Sequence, residues 1–377
     1  MKMLCDYPFT HFEVNNPNGD VTFCCNHNMV LGNVNRSSIE EIWNGKAYKQ
    51  VRRRFLDGRI FDVCSRKCPV LGGWKDFEKL DWYNELSKES AAYKNAVLNN
   101  EEIRVGKVEL ESKPRWLRFS ASYACNLKCY HCFQGMDRKA SLELPNSFFE
   151  EAKRKLESAQ IIFFYGGEPL IEKRNLDMMD YAGERGFSAK VYIISNGTVL
   201  NDKIKNTLEK LNFGFMDISV DSIKKELYEE LRYLAKWPDT AKNLKFFSEL
   251  MRNKKGNLSL TFTINKKNQS ELVNFVKFSM ELGAVPFFQF AHNVFKDEFF
   301  RKNYEIYSIK EYMSAKRNLL EVKEFLASTN LDYTRKNVDY LLRSTSFLIL
   351  IGKKLRAFAS ENVPWLKNFL VKLRGNR

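Results

Sequence analysis

Three cysteines crowd one short run, Cys125-Asn-Leu-Lys-Cys129-Tyr-His-Cys132. The spacing is C-x3-C-x2-C. Three close thiolates on one loop hold three irons of a [4Fe–4S] cube and leave the fourth iron open. Most such clusters have four cysteine ligands and only move electrons. An open iron binds a small molecule directly, so the missing fourth Cys points to chemistry at the cluster. The competing reading is a zinc knuckle, disfavoured because a structural zinc site normally takes four protein ligands.

Chemistry at such a loop needs a scaffold to hold it. Strand-like runs follow one another at Trp116–Ser122, Ile161–Tyr165, Lys190–Ser195, Phe215–Val220, Leu258–Ile264 and Pro286–Ala291. Between them lie amphipathic stretches such as Phe148–Glu157, Asn175–Arg185, Asp202–Leu211 and Gln269–Leu282. Strands alternating with helices argue for a parallel sheet. Polar and glycine residues gather at the C-terminal ends of these strands, where α/β barrels carry their chemistry. Gly166-Gly167-Glu168-Pro169 follows the second strand, and Ser195-Asn196-Gly197-Thr198 ends the third. Ser219 and Asp221 end the fourth, Asn265 the fifth, and His292 follows the sixth. Each has a plain alternative. Gly166-Gly167 makes an ordinary turn, Pro169 starts a helix and Glu168 complements its dipole. Asn196-Gly197 is a common turn dipeptide, and Asp221-Ser222 a simple N-cap. Asn265 and His292 read as structural or solvent-facing.

In combination, the C-x3-C-x2-C loop, the strand before it, the Gly-Gly-Glu-Pro turn and the later strands resemble the radical S-adenosylmethionine (SAM) superfamily. The resemblance implies a partial, TIM-like (β/α)6 barrel in an α/β protein. It implies a [4Fe–4S] cluster on Cys125, Cys129 and Cys132, whose open iron chelates the amino and carboxylate groups of SAM. Gly166, Gly167 and Glu168 would hold the SAM amino group. Ser195 and Asn196 would lie near its ribose or carboxylate, and Asp221 would face SAM or substrate. One electron from the reduced cluster breaks a carbon–sulfur bond, and the 5′-deoxyadenosyl radical abstracts a hydrogen atom from a substrate. His131 stands where many relatives carry an aromatic residue before the third Cys.

The remaining cysteines are Cys5, Cys24, Cys25, Cys64 and Cys68, and no Cys follows Cys132. With Gly19-Asp-Val-Thr-Phe-Cys24, Leu31-Gly-Asn-Val34 and Ile39-Glu-Glu-Ile-Trp43, they resemble the SPASM/Twitch auxiliary-cluster domain of the same superfamily. Cys5, Cys24, Cys64 and Cys68 would complete a second, auxiliary [4Fe–4S] cluster, with Cys25 spare. Zinc is the alternative occupant of a four-cysteine site, and His11 and His27 lie close in sequence. In most relatives this domain follows the barrel, whereas here it precedes it.

The chain has 377 residues, is 44% hydrophobic and carries a net charge of +15. That length supports more than one domain. The divisions read from the sequence are an N-terminal cluster domain at 1–75, a charged helical connector at 76–112, a barrel at 113–300 and a basic helical extension at 301–377. No signal peptide or membrane-length apolar run stands out, so the chain reads as soluble and cytoplasmic, with its cysteines in a reducing compartment. Residues 301–377 hold 16 Lys and Arg against 7 Asp and Glu. Their end places Trp365, Leu366, Phe369, Leu370 and Leu373 on one stripe, beside Lys367, Lys372 and Arg374. This is a docked helix with solvated lysines, or a candidate for an anionic surface or partner. The resemblance implies an electron donor such as flavodoxin or ferredoxin. It also implies a substrate that is a peptide or protein to be oxidised or crosslinked, or a small molecule such as an aminosugar to be dehydrogenated. A chain using two metal sites for electron transfer or folding alone is the non-enzymatic alternative.

Overall fold

The computed structural model describes residues 5–24, 29–65, 68, 80–132, 134, 142–292, 298–306 and 308–344. One sheet of nine strands runs through the protein in the order β3-β2-β1-β4-β5-β6-β7-β8-β9. The strands are β1 His11–Val14, β2 Asp20–Thr22, β3 Gly32–Asn33, β4 Trp116–Ser120 and β5 Ile161–Tyr165. They continue as β6 Lys190–Ser195, β7 Phe213–Ser219, β8 Asn257–Ile264 and β9 Val285–Phe290. From β4 to β9 every neighbouring pair is parallel. These are the six strands of the open barrel, covered outside by the helices that connect them. A parallel strand buried on both faces reads as a continuous apolar run, which Ile161-Ile-Phe-Phe164 satisfies.

Two strand bounds match the sequence expectation and four differ slightly. β4 stops at Ser120 because Ser122 leaves the ladder to form an isolated bridge with Glu143. β7 starts at Phe213 because Gly214 continues the strand with Tyr192 packed over it. In the connector, residues 76–79 lie outside the described residues, and a 3-10 turn at Asp81–Glu85 precedes a helix at Ala91–Arg104.

The N-terminal cysteine-bearing segment extends the barrel sheet. β1 lies parallel to β4 with His11 opposite Trp116 and Val14 opposite Phe119. β2 returns antiparallel to β1, and β3 antiparallel to β2. The helix Lys46–Leu56 covers this hairpin: Tyr48 Oη donates to His11 O at 2.9 Å, and Arg52 Nε to Pro8 O at 2.9 Å.

At the opposite edge, the helix Asp332–Ser344 protects β9. Asn337 accepts from Phe288 N at 2.8 Å and donates to Phe288 O at 3.0 Å, a side chain in place of a tenth strand. Unpaired strand edges invite aggregation and are commonly covered in this way. The helices Glu298–Asn303, Ile309–Leu326 and Asp332–Ser344 fit the helical extension expected after the barrel. The stripe around Trp365 lies outside the described residues. Among the described residues, no helix is long and apolar enough to cross a membrane.

Candidate active site

The loop carrying Cys125, Cys129 and Cys132 leaves the C-terminal end of β4 and folds over the adjoining turn after β5. Gly167 N donates to Ser122 O at 3.1 Å and Glu168 N to Ala124 O at 2.8 Å. This approach explains the glycines. A Cβ on Gly167 would sit 2.0 Å from Ala124 O, and one on Gly166 2.3 Å from Ser120 Oγ. Gly166 also has φ of +128°, which side chains rarely adopt. The Gly-Gly pair is therefore a seat for the cysteine loop as well as a strand-to-helix turn.

Glu168 is only 1% exposed. Its carboxylate accepts from Ser195 Oγ at 2.8 Å, Asn196 N at 2.7 Å and Leu170 N at 3.1 Å, binding the end of β5 to the end of β6. Burial raises its pKa, opposed by those donors. Asn196 then reaches the loop, donating through Nδ2 to Asn126 Oδ1 at 3.0 Å and toward Cys125 Sγ at 3.8 Å.

The three cysteines, Gly166, Gly167, Ser195 and Asn196 face a common cavity of about 370 Å³. Ser219, Thr263, Gln289 and the exposed His292 line it from the later strands. Glu168 and Asp221 stand behind this wall. Asn265 is buried in its own turn, bonded to Thr263, Lys267 and Asn268.

Asp221 is fully buried, with φ of +63°. Its carboxylate accepts from Thr263 N at 2.6 Å, meets Arg232 Nη2 at 2.7 Å and lies 3.0 Å from His131 Nε2. Burial alone would raise this carboxyl, but Arg232 and His131 hold it well below the usual carboxylate range. Arg232 points its other nitrogen, Nη1, at Cys129 Sγ, 3.9 Å away. Sequence reasoning missed Arg232, which has no spacing signal in Leu231-Arg232-Tyr233. The backbone around it braces the loop: Lys128 N donates to Tyr233 O at 3.0 Å and Tyr130 N to Leu231 O at 3.4 Å.

Burial pushes the Cys129 thiol up to about 12, opposed by Arg232. A cluster must displace such protons to bind, and thiolates are its ligands. N–H donors already aim at two of the sulfurs, from Leu127 N at 3.5 Å and Asn196 to Cys125, and from Arg232 to Cys129. Three thiols on one cavity, with N–H groups turned to two of the sulfurs, supply the donor set that an iron–sulfur cluster would take here.

Cys5 and Cys24 lie toward the opposite end of the strands, although among the described residues no three metal-ligating side chains close on one point. Cys5 precedes β1, and Cys24 follows β2, which runs the other way. Cys5 lies within electrostatic reach of Cys64 and Cys68, and burial drives its thiol far above the ordinary value. Burial likewise pushes Cys64 up to about 11. These thiols suit a buried metal-thiolate centre. Cys25 and His27 lie outside the described residues, and His11 is taken up in ring stacking.

Packed rings separate the two cysteine sets. Tyr7 stacks on His11 at 3.9 Å, and His11 on Trp116 at 4.8 Å. Trp116 meets Phe163 at 5.9 Å and Tyr192 at 5.6 Å edge-on. With Leu80 and Ile161 these rings close the lower lumen. Above them the lumen is polar. Glu13 of β1 pairs with Arg118 of β4 at 3.3 Å, and Arg118 lies over the Tyr165 ring at 4.1 Å.

Asp217 also points inward, accepting from Thr261 Oγ1 at 2.8 Å. Burial raises it to about 6, opposed by Thr261 and Ser259. The folded chain thus holds a proton that the unfolded chain releases between the ordinary 3.8 and about 6. Stability falls as pH rises through that window and is flat above it. Asp217→Asn is expected to gain about 1 kcal/mol on the wild type between about pH 5 and pH 7. Urea unfolding at the two pH values measures this, and a pH-independent difference would refute it.

A radical SAM superfamily domain is found over residues 119–279, and an iron–sulfur cluster-binding domain of the SPASM type over residues 5–69. The chain thus contains a radical SAM domain preceded by a SPASM-type iron–sulfur domain, the combination of an enzyme. The first domain implies a [4Fe–4S] cluster and SAM, and the second an auxiliary iron–sulfur cluster. The AdoMet-dependent heme synthase of Methanosarcina barkeri is 24% identical over 48% of this chain and 52% of its own length. The mycofactocin maturase MftC of Mycobacterium tuberculosis is 22% identical over 45% of this chain and 43% of its own. The crystal structure of Streptococcus suis SuiB bound to S-adenosylmethionine is 14% identical, covers 84% of this chain and 69% of that one, and has a TM-score of 0.46. The chain spans about half the length of the curated relatives it matches.

Proposed function

We propose that the protein reductively cleaves SAM and abstracts a hydrogen atom from a peptide or protein substrate, in an oxidative or crosslinking modification. The observation that carries this reading is the single cavity faced by Cys125, Cys129, Cys132 and the turn ends of β5 and β6. In this reading those cysteines hold the SAM-binding cluster. When bound, the cluster and SAM together supply a 5′-deoxyadenosyl radical at the cavity. Gly166 and Gly167 give the SAM amino end backbone it can approach closely, while Glu168 fixes that backbone against Ser195 and Asn196. Asp221 acts through Arg232 and His131 and is a positioning residue.

The polar upper lumen takes the substrate. A radical of this kind attacks almost any C–H bond, so the walls must hold one carbon close and exclude others. Closed rings below and the cysteine loop above support that confinement. Cys5, Cys24, Cys64 and Cys68 hold the auxiliary cluster, and the chain divides into a cluster domain at 1–75, a connector at 76–112, a barrel at 113–300 and an extension at 301–377. The choice of a peptide is supported by the SPASM-type domain and by a maturase among the relatives.

The test is anaerobic incubation of the reconstituted protein with dithionite and SAM, followed by mass spectrometry of 5′-deoxyadenosine and methionine. Deuterated peptides encoded beside the gene should pass deuterium into 5′-deoxyadenosine and lose hydrogen themselves. No 5′-deoxyadenosine from protein with a full complement of iron would refute SAM cleavage. Deuterium drawn only from a small molecule would refute the peptide.

A further inference from the structure

The helix Lys46–Leu56 buries Tyr48, Val51, Arg52 and Phe55. Its other face is basic. Lys46, Lys49, Arg53 and Arg54, with Arg59 from the following turn, line an open groove of about 720 Å³. Among the described residues, Asp57 is the only acid on its wall. Lys49 is paired with Glu109 at 3.1 Å and Arg59 with Asp62 at 2.6 Å. Among the described residues, Lys46, Arg53 and Arg54 have no carboxylate within ion-pair distance. Like charges three and four residues apart on a helix repel one another. An anionic partner would relieve that repulsion.

The position of the groove narrows the partner. The helix runs through Asp57, Gly58 and Arg59 into the turn Ile60–Asp62, and Cys64 N closes that turn on Ile60 O at 2.8 Å. The groove therefore adjoins a cysteine of the auxiliary set. It is remote from the reaction cavity, which opens at the other end of the strands. A substrate would have to reach around the barrel, whereas an electron carrier needs only to approach the cluster.

We propose that this groove docks an acidic one-electron carrier protein of the ferredoxin or flavodoxin kind, which exchanges electrons with the auxiliary iron–sulfur cluster. The proposal rests on the radical SAM reading above. Its step is a transfer of one electron: the reduced carrier is oxidised as the oxidised cluster is reduced, with no bond made or broken. Charge complementarity of this kind acts chiefly on association rate and is screened by salt.

The test mixes anaerobically reconstituted full-length protein with a reduced plant-type ferredoxin, and separately with a reduced flavodoxin, in a stopped-flow spectrometer. K46E/R53E/R54E is expected to lower the second-order rate roughly tenfold or more at low salt. Its rate should converge on the wild type near about 0.5 M salt, where screening is short-ranged. K46Q/R53Q/R54Q should shift the rate in the same direction by less, which guards against a folding defect. K242E/K245E/R317E, the same charge change elsewhere, should stay within about twofold, and reduction by dithionite should be unchanged in all variants. Iron analysis of the same samples separates the failures. Iron near four per chain sinks the two-cluster reading and this proposal with it. Full iron, with carrier rates in K46E/R53E/R54E equal to the control, sinks the docking surface alone. Binding of a polyglutamate peptide that the variant loses, with carrier rates unaffected, reassigns the groove to an acidic chain and overturns the carrier.

Discussion

Changing Cys125, Cys129 and Cys132 together to alanine is expected to lower iron in the anaerobically reconstituted protein from about eight atoms to about four. The same change should take 5′-deoxyadenosine formation below detection. Four irons should remain if the N-terminal cysteines hold the auxiliary cluster as proposed, since a closed ring cluster lies between Cys5 and the substituted loop. Nothing in the variant touches them. Iron, sulfide and zinc per chain, with an iron–sulfur absorption spectrum, measure the result. Iron near four with one zinc in the wild type would remove a redox role from the N-terminal set. Zinc alone, with no iron taken up by the C-x3-C-x2-C loop, would overturn SAM cleavage at this site.

Arg232→Met is expected to destabilise the chain by about 3–5 kcal/mol, because it leaves Asp221 charged, buried and without its guanidinium. Both groups are almost wholly enclosed, so solvent does not soften the loss. Asp221→Asn with Arg232→Met should recover much of the loss, since the pair then leaves no orphan charge. Urea unfolding of the three variants at neutral pH supplies the cycle. Additive losses in the double variant would show that the two side chains act independently. The cluster should report the same change: removing the guanidinium near Cys129 takes a positive charge from beside the sulfur, and the midpoint potential should fall.

Much of the barrel was legible because its signals are local. Ile161–Tyr165 and Lys190–Ser195 are strands to the residue, since runs of apolar and β-branched side chains between turn residues mark a buried parallel strand. The cysteine loop, Gly166, Gly167, Ser195 and Asn196 were found by type and spacing, and they meet at one cavity. What was illegible depends on contacts distant in sequence. Nothing in His11–Val14 says that it will lie beside Trp116–Phe119, more than a hundred residues on. The partners of Asp221 are of the same kind: its carboxylate meets Arg232, His131 and Thr263 N, none of them signalled by the local sequence. The grip of Asn337 on β9 is equally invisible, because an asparagine in a helix carries no mark of the strand it will cover.

The ring stack from Tyr7 to Tyr192 has a consequence for what can pass along the barrel axis. Matter stops there. A molecule arriving from the C-terminal rim meets Trp116, Phe163 and Tyr192 and goes no deeper. The two ends of this protein are thus closed to each other as vessels. Whatever the N-terminal cysteines hold, a substrate in the rim cavity does not reach it along the barrel axis.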